Sequence, residues 1–349
     1  MKIEERIVDS DAPILVTGAA GFIGTRVVGG LLGRGYRNVR CLARSTGNLA
    51  RLKEVIQNFG EDAHAKIIIG NLLSRKDCTL LAKDAALIYH LAAGMGIKSF
   101  SDAILNSVVT TRNLLDAALE QKCLRRFVNI SSFAVYTNRK KPQWRILDES
   151  CPIEEHPESR AEAYCFGKVK QDELVKEYGK NHKIPYVILR PGNVIGPGKK
   201  FIPGRVGIDP FGIYLDFGGS NPLPLTYVDN CAEAIIMAGL IPGIEGEVFN
   251  IVDDDLPTCR RFLQLYKQNV KRFRSLFIPH AFSYLFCFAW EKYSRWSKGQ
   301  LPPVYTCREW AATWKKTRYS NRKIKERLGW SPKVSMEEGL RRFFESLEA

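Results

Sequence analysis

The stretch Pro13-Ile14-Leu15-Val16-Thr17-Gly18-Ala19-Ala20-Gly21-Phe22-Ile23-Gly24 decides the fold. Apolar residues run straight into glycines at 18, 21 and 24, and a helical pattern continues to Leu32. A short buried strand, a tight turn and a helix opening on the last glycines form the layout that cradles a dinucleotide pyrophosphate. Backbone N–H groups and the positive end of the helix dipole meet the phosphate charge there. Gly18 permits the sharp turn, Gly21 lets the backbone approach the phosphates, and Gly24 lets the helix pack on the strand. The spacing is Gly-x-x-Gly-x-x-Gly, one residue off the usual Gly-x-Gly-x-x-Gly, so an ordinary turn is the alternative.

Outward from this stretch, strand-like runs recur at Ile14–Thr17, Val39–Ala43, Lys66–Ile69, Leu87–His90, Arg126–Ile130 and Tyr186–Leu189. Helical patterns separate them, most clearly at Phe22–Leu32, Asn48–Asn58, Ala103–Glu120 and Ala161–Asn181. Such alternation predicts an α/β fold: a Rossmann-type doubly wound parallel sheet with helices on both faces. The rhythm breaks after Arg190, where residues 191–224 are rich in glycine and proline. It returns as a helix at Thr226–Leu240 and a strand at Glu247–Ile251, and from Thr258 the chain reads as mostly helical. The expected organisation is therefore a dinucleotide-binding domain of residues 1–190 joined by 226–252. A smaller, mostly helical substrate-binding lobe would comprise 191–225 and 253–349.

The 349 residues are 45% hydrophobic and 26% charged, ordinary for a soluble globular protein. The charged first ten residues carry no apolar leader, and the nine cysteines form no Cys-x-x-Cys pair. Both features suit a cytoplasmic protein without disulfide framework or zinc site. Net charge is +15, and residues 258–349 hold 20 Lys/Arg against 7 Asp/Glu. A concentrated positive field of that kind suits an anionic partner: a phosphorylated substrate, a membrane surface, or least of all nucleic acid. A solvated basic surface is the plain alternative. Phe277–Trp290 is too short and interrupted to span a bilayer. It is either a buried helix walling the substrate pocket or an interfacial helix in peripheral contact with a membrane, since Arg272, Arg274, Lys292, Arg295 and Lys298 flank it.

Chemistry enters with Tyr164 and Lys168, spaced i, i+4 so that both project from one helix face. A phenol titrates near pH 10 in isolation, and an ammonium one turn away favours the phenolate. Ser131 and Ser132 follow the strand Arg126–Ile130 at the end where α/β sheets bind ligands. A hydroxyl there can hold a substrate oxygen while Tyr164 moves its proton.

These segments together resemble the extended short-chain dehydrogenases/reductases, the superfamily of NAD(P)-dependent epimerases, dehydratases and sterol dehydrogenases. The matching pieces are Thr17-Gly18-Ala19-Ala20-Gly21-Phe22-Ile23-Gly24, His90-Leu91-Ala92-Ala93, Ser131 to Tyr136, Tyr164-Cys165-Phe166-Gly167-Lys168, Arg190 to Gly198 and Tyr227-Val228-Asp229-Asn230. Tyr319-Ser320-Asn321 with Leu328-Gly329-Trp330 resembles a C-terminal signature of the same group. The resemblance implies Ser132 as active hydroxyl, Tyr164 as acid/base, Lys168 on the nicotinamide ribose, and Asn106 as a further site residue. It also implies cofactor contacts from Thr17, Gly18, Gly21, Phe22, Ile23, Gly24, Asn71, Leu72, Leu91, Ala92, Ala93, Tyr164, Lys168 and Pro191. Phe133 and Asn193, with Ser132, would meet substrate, His90 would support the strand end, and a homodimer is expected.

The second strand ends Cys41-Leu42-Ala43-Arg44-Ser45, with arginine where an acid would select the ribose 2′-hydroxyl. NADP(H), with Arg44 and Ser45 on its phosphate, is favoured over NAD(H). Phe133 and Ala134 replace the Asp-Glu pair of family dehydratases, which argues against water elimination. Pro222-Leu223-Pro224-Leu225-Thr226 lacks the arginine that nucleotide-sugar epimerases place before this segment, which leans towards the hydroxysteroid/sterol dehydrogenase branch. The expectation is an oxidoreductase acting on a secondary alcohol or ketone of an apolar substrate. A nucleotide-sugar epimerase is the alternative, and a cofactor-binding sensor without turnover the third reading.

Overall fold

In the computed structural model the described residues are 6–348, apart from 61–63, 95–98, 140–141, 161, 200, 210–211, 298–299 and 301–304. Lys298 and the expected helix start at Ala161 lie outside them. Seven strands form the main sheet: β1 (Ile14–Thr17), β2 (Val39–Ala43), β3 (Ala65–Ile69), β4 (Leu87–His90), β5 (Arg126–Ile130), β6 (Tyr186–Pro191) and β7 (Val248–Ile251). Their order is β7-β6-β5-β4-β1-β2-β3, and every pairing is parallel. The order reverses between β1 and β4, and open sheets take ligands beyond the strand ends at such a reversal.

Period-2 side-chain alternation explains why β1 can sit at the centre. Ile14 and Val16 face a cluster with Val27, Val28, Leu31 and the nearly all-apolar helix Val228–Leu240. Leu15 faces the opposite cluster, with Leu114, Leu115, Leu174 and Val175. A strand buried on both faces is mostly apolar, and β1 is so up to Thr17, whose buried hydroxyl is hydrogen-bonded. Close approaches fix the layers further. A Cβ on Gly239 would sit 2.0 Å from the Tyr89 hydroxyl, which instead donates to the Ile236 carbonyl at 3.0 Å.

Elsewhere the sequence pattern was interrupted locally. Ala103–Glu120 reads as one helix, but a π-helical segment, Ile104–Val109, separates Phe100–Ala103 from Thr110–Leu119. The helix expected from Thr226 begins at Val228, because Leu225–Tyr227 pairs with Asn193–Ile195 as strands. Helix Arg75–Ala82, capped by the Ser74 side chain accepting from the Asp77 N–H, carries little apolar periodicity. Phe277–Trp290 resolves into a strand end and the helix His280–Trp296, most of whose large apolar side chains are exposed rather than buried.

Residues of the last third pack in at least three places, one of them Cys287, Trp310, Ala311 and Trp314 around Phe217. Phe262, Met336, Leu340, Phe343 and Phe344 join Ile195, Val206, Tyr214 and Leu223 in a separate cluster. Ile324, Leu328 and Trp330 instead enter the cluster containing β1, and the Trp330 indole donates to the Asn230 carbonyl at 3.1 Å.

Candidate active site

At the end of β1 the chain turns through Gly18 with φ +67°, a left-handed conformation that suits glycine. A Cβ there would come within 3.0 Å of the Ala92 nitrogen, and one on Gly24 within 2.1 Å of the Gly18 carbonyl oxygen. The helix Gly24–Leu32 therefore begins directly on the turn. This cradle leaves the helix N-terminus facing the strand ends, which suits the pyrophosphate of a dinucleotide.

A buried chain of hydrogen bonds leads from that turn to Lys168. Lys168 Nζ donates to the Ile130 carbonyl at 2.5 Å and to Gln171 Oε1 at 2.9 Å. Gln171 Nε2 donates to Thr111 Oγ1 at 2.8 Å, and Thr111 passes its own proton to the Ser107 carbonyl at 2.5 Å. Thr111 must therefore accept from His90 Nε2, 2.8 Å away. That fixes the tautomer: His90 Nδ1 accepts from Thr17 Oγ1 at 2.9 Å, and Thr17 in turn accepts from the Ala92 N–H at 3.1 Å. Burial, then the Lys168 charge, push His90 down to about 3, so the ring is neutral as this chain requires. Burial likewise lowers Lys168 to about 8.

Tyr164 and Ser132 meet at the mouth of a cavity of about 340 Å³. Burial pushes the Tyr164 phenol up to about 12, partly offset by its hydrogen bond with Ser132. The depression expected from Lys168 is absent, because that ammonium is aimed at Ile130 and Gln171. Ser132 Oγ also accepts from the Ala134 N–H at 3.1 Å, capping the short turn after β5. Phe133 and Asn193 line the same cavity, with Phe133 stacked on Tyr319 at 5.6 Å between ring centres.

The far wall is charged, and sequence reading missed it. Arg160 donates through Nε to Glu309 at 2.5 Å and lies 3.0 Å from Glu162 Oε2. That Glu162 oxygen is sealed from solvent and faces the Arg160 guanidinium as an ion pair, while about a third of the side chain (36%) is exposed. Desolvation first, and then Glu309, raise Glu162 to about 7 against the opposing pull of Arg160. Arg205 also lines the cavity; it donates to the carbonyls of Ala312 and Lys315, while its buried Nε has no partner. No motif flags these four residues. They come from three segments, at 160–162, 205 and 309, so no local pattern marks them.

Other expected residues stand apart from this cavity. Asn106 does not line it: its amide donates back to the Asp102 carbonyl at 3.0 Å along the π-helical segment. Asn71 Oδ1 accepts from the Leu73 N–H at 3.0 Å and shapes its own turn, while Leu72 is buried. Arg44 and Ser45 are exposed just past β2. Leu91, Ala92 and Ala93 follow β4, with the Leu91 N–H on the Thr17 carbonyl at 3.3 Å. Phe22 lies under Arg26 at 4.8 Å and Lys199 at 5.3 Å, Ile23 precedes the first helix, and Pro191 ends β6.

The family model for the NAD dependent epimerase/dehydratase family matches residues 14–251. The low-salt glycan biosynthesis protein Agl12 of Haloferax volcanii is 30% identical over 250 residues, covering 68% of this chain and 76% of that protein. A putative UDP-glucose 4-epimerase of Methanocaldococcus jannaschii is 24% identical over 345 residues, covering 94% of this chain and 96% of its own. In structure, the UDP-glucuronic acid 4-epimerase of Bacillus cereus, solved with UDP-glucuronic acid and NAD, superposes with a TM-score of 0.71 at 24% identity, covering 96% and 99% of the two chains. These relatives are named for glycan and nucleotide-sugar chemistry rather than for that of the hydroxysteroid branch. The fold, the glycine cradle and the matched span agree: this chain belongs to the NAD dependent epimerase/dehydratase family of enzymes.

Proposed function

We propose that the protein is an NAD(P)-dependent epimerase of a nucleotide-linked sugar, which oxidises one sugar hydroxyl and returns the hydride to the other face of the carbon. The observation that carries this reading is the cavity wall. Arg160, Glu162, Arg205, Glu309, Asn138 and Asn193 give it a polar, charged lining that suits a sugar and opposes a sterol. The names of the relatives point the same way, and support epimerisation above the simple alcohol dehydrogenase expected from sequence.

Bound nicotinamide supplies the hydride acceptor. Tyr164 exchanges the proton of the sugar hydroxyl, and Ser132 holds the same oxygen by a hydrogen bond. Lys168, held through Gln171, is assigned the ribose in this reading. Arg205 offers the cationic charge missing from Pro222–Thr226. With Arg44 and Ser45 and no acid after β2, we read the cofactor as NADP(H) in preference to NAD(H). A dissociation-constant ratio of tenfold or less between the two would remove that preference.

The test uses UDP-glucose and UDP-glucuronic acid with purified protein, following sugar products by NMR. Interconversion at one carbon without net consumption of reduced cofactor is expected. Tyr164→Phe should lower the rate by about 10²–10⁴-fold while leaving cofactor affinity within about threefold. Turnover unchanged in this variant would end the proposed mechanism.

A second reading rests on Glu162. A carboxyl held near neutrality beside Tyr164 is an additional proton carrier, the element that elimination of water requires and that Phe133 and Ala134 do not supply. Formation of a dehydrated keto sugar would favour it over epimerisation.

A further inference from the structure

Helix His280–Trp296 is amphipathic in reverse. The side chains it buries are small: Ser283, Cys287 and Ser294, with Ser283 Oγ accepting from the Trp310 indole at 2.9 Å. At 3.6 residues per turn the opposite sector carries Ala281, Phe282, Leu285, Phe288, Ala289, Tyr293 and Trp296, with Lys292 among them. Trp296 is 75% exposed, Phe282 65% and Leu285 58%. The strand Ser275–Phe277 leads directly into this helix, and both Leu276 and Phe277 are exposed as well. Contiguous apolar exposure on this scale marks an interaction surface.

Its rim is basic. Arg260, Lys271, Arg272, Arg274 and Lys292 are exposed, and none meets a carboxylate among the described residues. Arg260 lies over the Phe277 ring at 4.8 Å and Lys292 over Phe288 at 5.6 Å, so charge borders the apolar side chains directly. Arg295 alone on this helix is paired, with Glu291. Two identical faces of this kind would repel one another, and the whole chain carries +15. An aromatic sector edged by unpaired cations complements anionic headgroups over hydrocarbon.

We propose that this helix and the preceding strand dock the enzyme on an anionic lipid bilayer, with Phe282, Leu285 and Trp296 entering the acyl boundary. The proposal is independent of the chemistry in the cavity. It brings the cavity close to the surface, since helix Cys307–Thr313 packs on the docking helix through Trp310 and lines the cavity with Glu309, Ala312 and Thr313.

The experiment is co-sedimentation of the full chain with phosphatidylcholine vesicles, with and without phosphatidylglycerol, at low and high salt. Binding to the anionic vesicles at low salt, at least about tenfold above neutral ones, is expected, with a blue shift of tryptophan emission. The double substitution Leu285→Ser with Trp296→Ser should reduce partitioning about tenfold or more with cofactor affinity and circular dichroism unchanged. Lys292→Glu with Arg274→Glu should remove the salt-sensitive part. No binding to either vesicle, or equal binding to both, overturns the proposal. So does a concentration-dependent dimer that the Leu285/Trp296 substitutions abolish, since a second copy would then cover the face.

Discussion

Tyr164 and Lys168 were legible from their spacing, and Ser132 from its place after β5, because neighbours in sequence fix these positions. The charged wall was not legible. Arg160, Glu162, Arg205 and Glu309 meet only through the tertiary fold, and nothing local distinguishes them from surface charges. Glu162 has a measurable consequence. Its carboxyl, raised from 4.5 to about 7, binds a proton in the folded chain over a pH range where the unfolded chain has released it. Folding stability therefore falls as pH rises through that window. Glu162→Gln should flatten that dependence in urea midpoints measured between pH 5 and 8. If Glu162 also carries protons, the same variant removes the activity limb near pH 7.

At the scale of elements, the strands and main helices followed from alternation and periodicity, and boundaries shifted where a second strand intervened. The π-helical turn at Ile104–Val109 was invisible, because its side chains keep an ordinary helical pattern while the backbone takes one extra residue. Asn106 lies within it and donates back to the Asp102 carbonyl. The glycine cradle is the clearest case of an element set by close approach. Gly24→Ala would place a Cβ 2.1 Å from the Gly18 oxygen, a clash with backbone. The helix must then move off the turn. A loss of about 1–3 kcal/mol in stability is expected, seen as a lower Tm, with dinucleotide affinity falling about tenfold or more. Unaltered cofactor binding in this variant would separate the turn from the cofactor.

For the molecule as a whole, the doubly wound sheet was readable and the division of the later chain was less so. Apolar content tells a helix from a loop, but does not say which cluster it joins. Phe343 belongs to one cluster and Trp330, thirteen residues earlier, to another. Trp330 is 1% exposed and hydrogen-bonded to Asn230, so Trp330→Ala leaves both a void and an unpaired carbonyl. A cost of about 3–5 kcal/mol is expected from urea unfolding, transmitted to the β1 layer rather than to the Phe262 cluster.

That placement of Trp330 also orders events at the ribosome. A growing chain exposes β1 to β6 and the glycine turn long before β7, Ile324, Leu328 and Trp330 leave the exit tunnel. Until they do, one apolar layer of the sheet stays open to water and to other nascent chains. That layer of the sheet therefore closes only once Trp330 has emerged, and until then a chain that already holds the glycine turn presents an apolar face open to association.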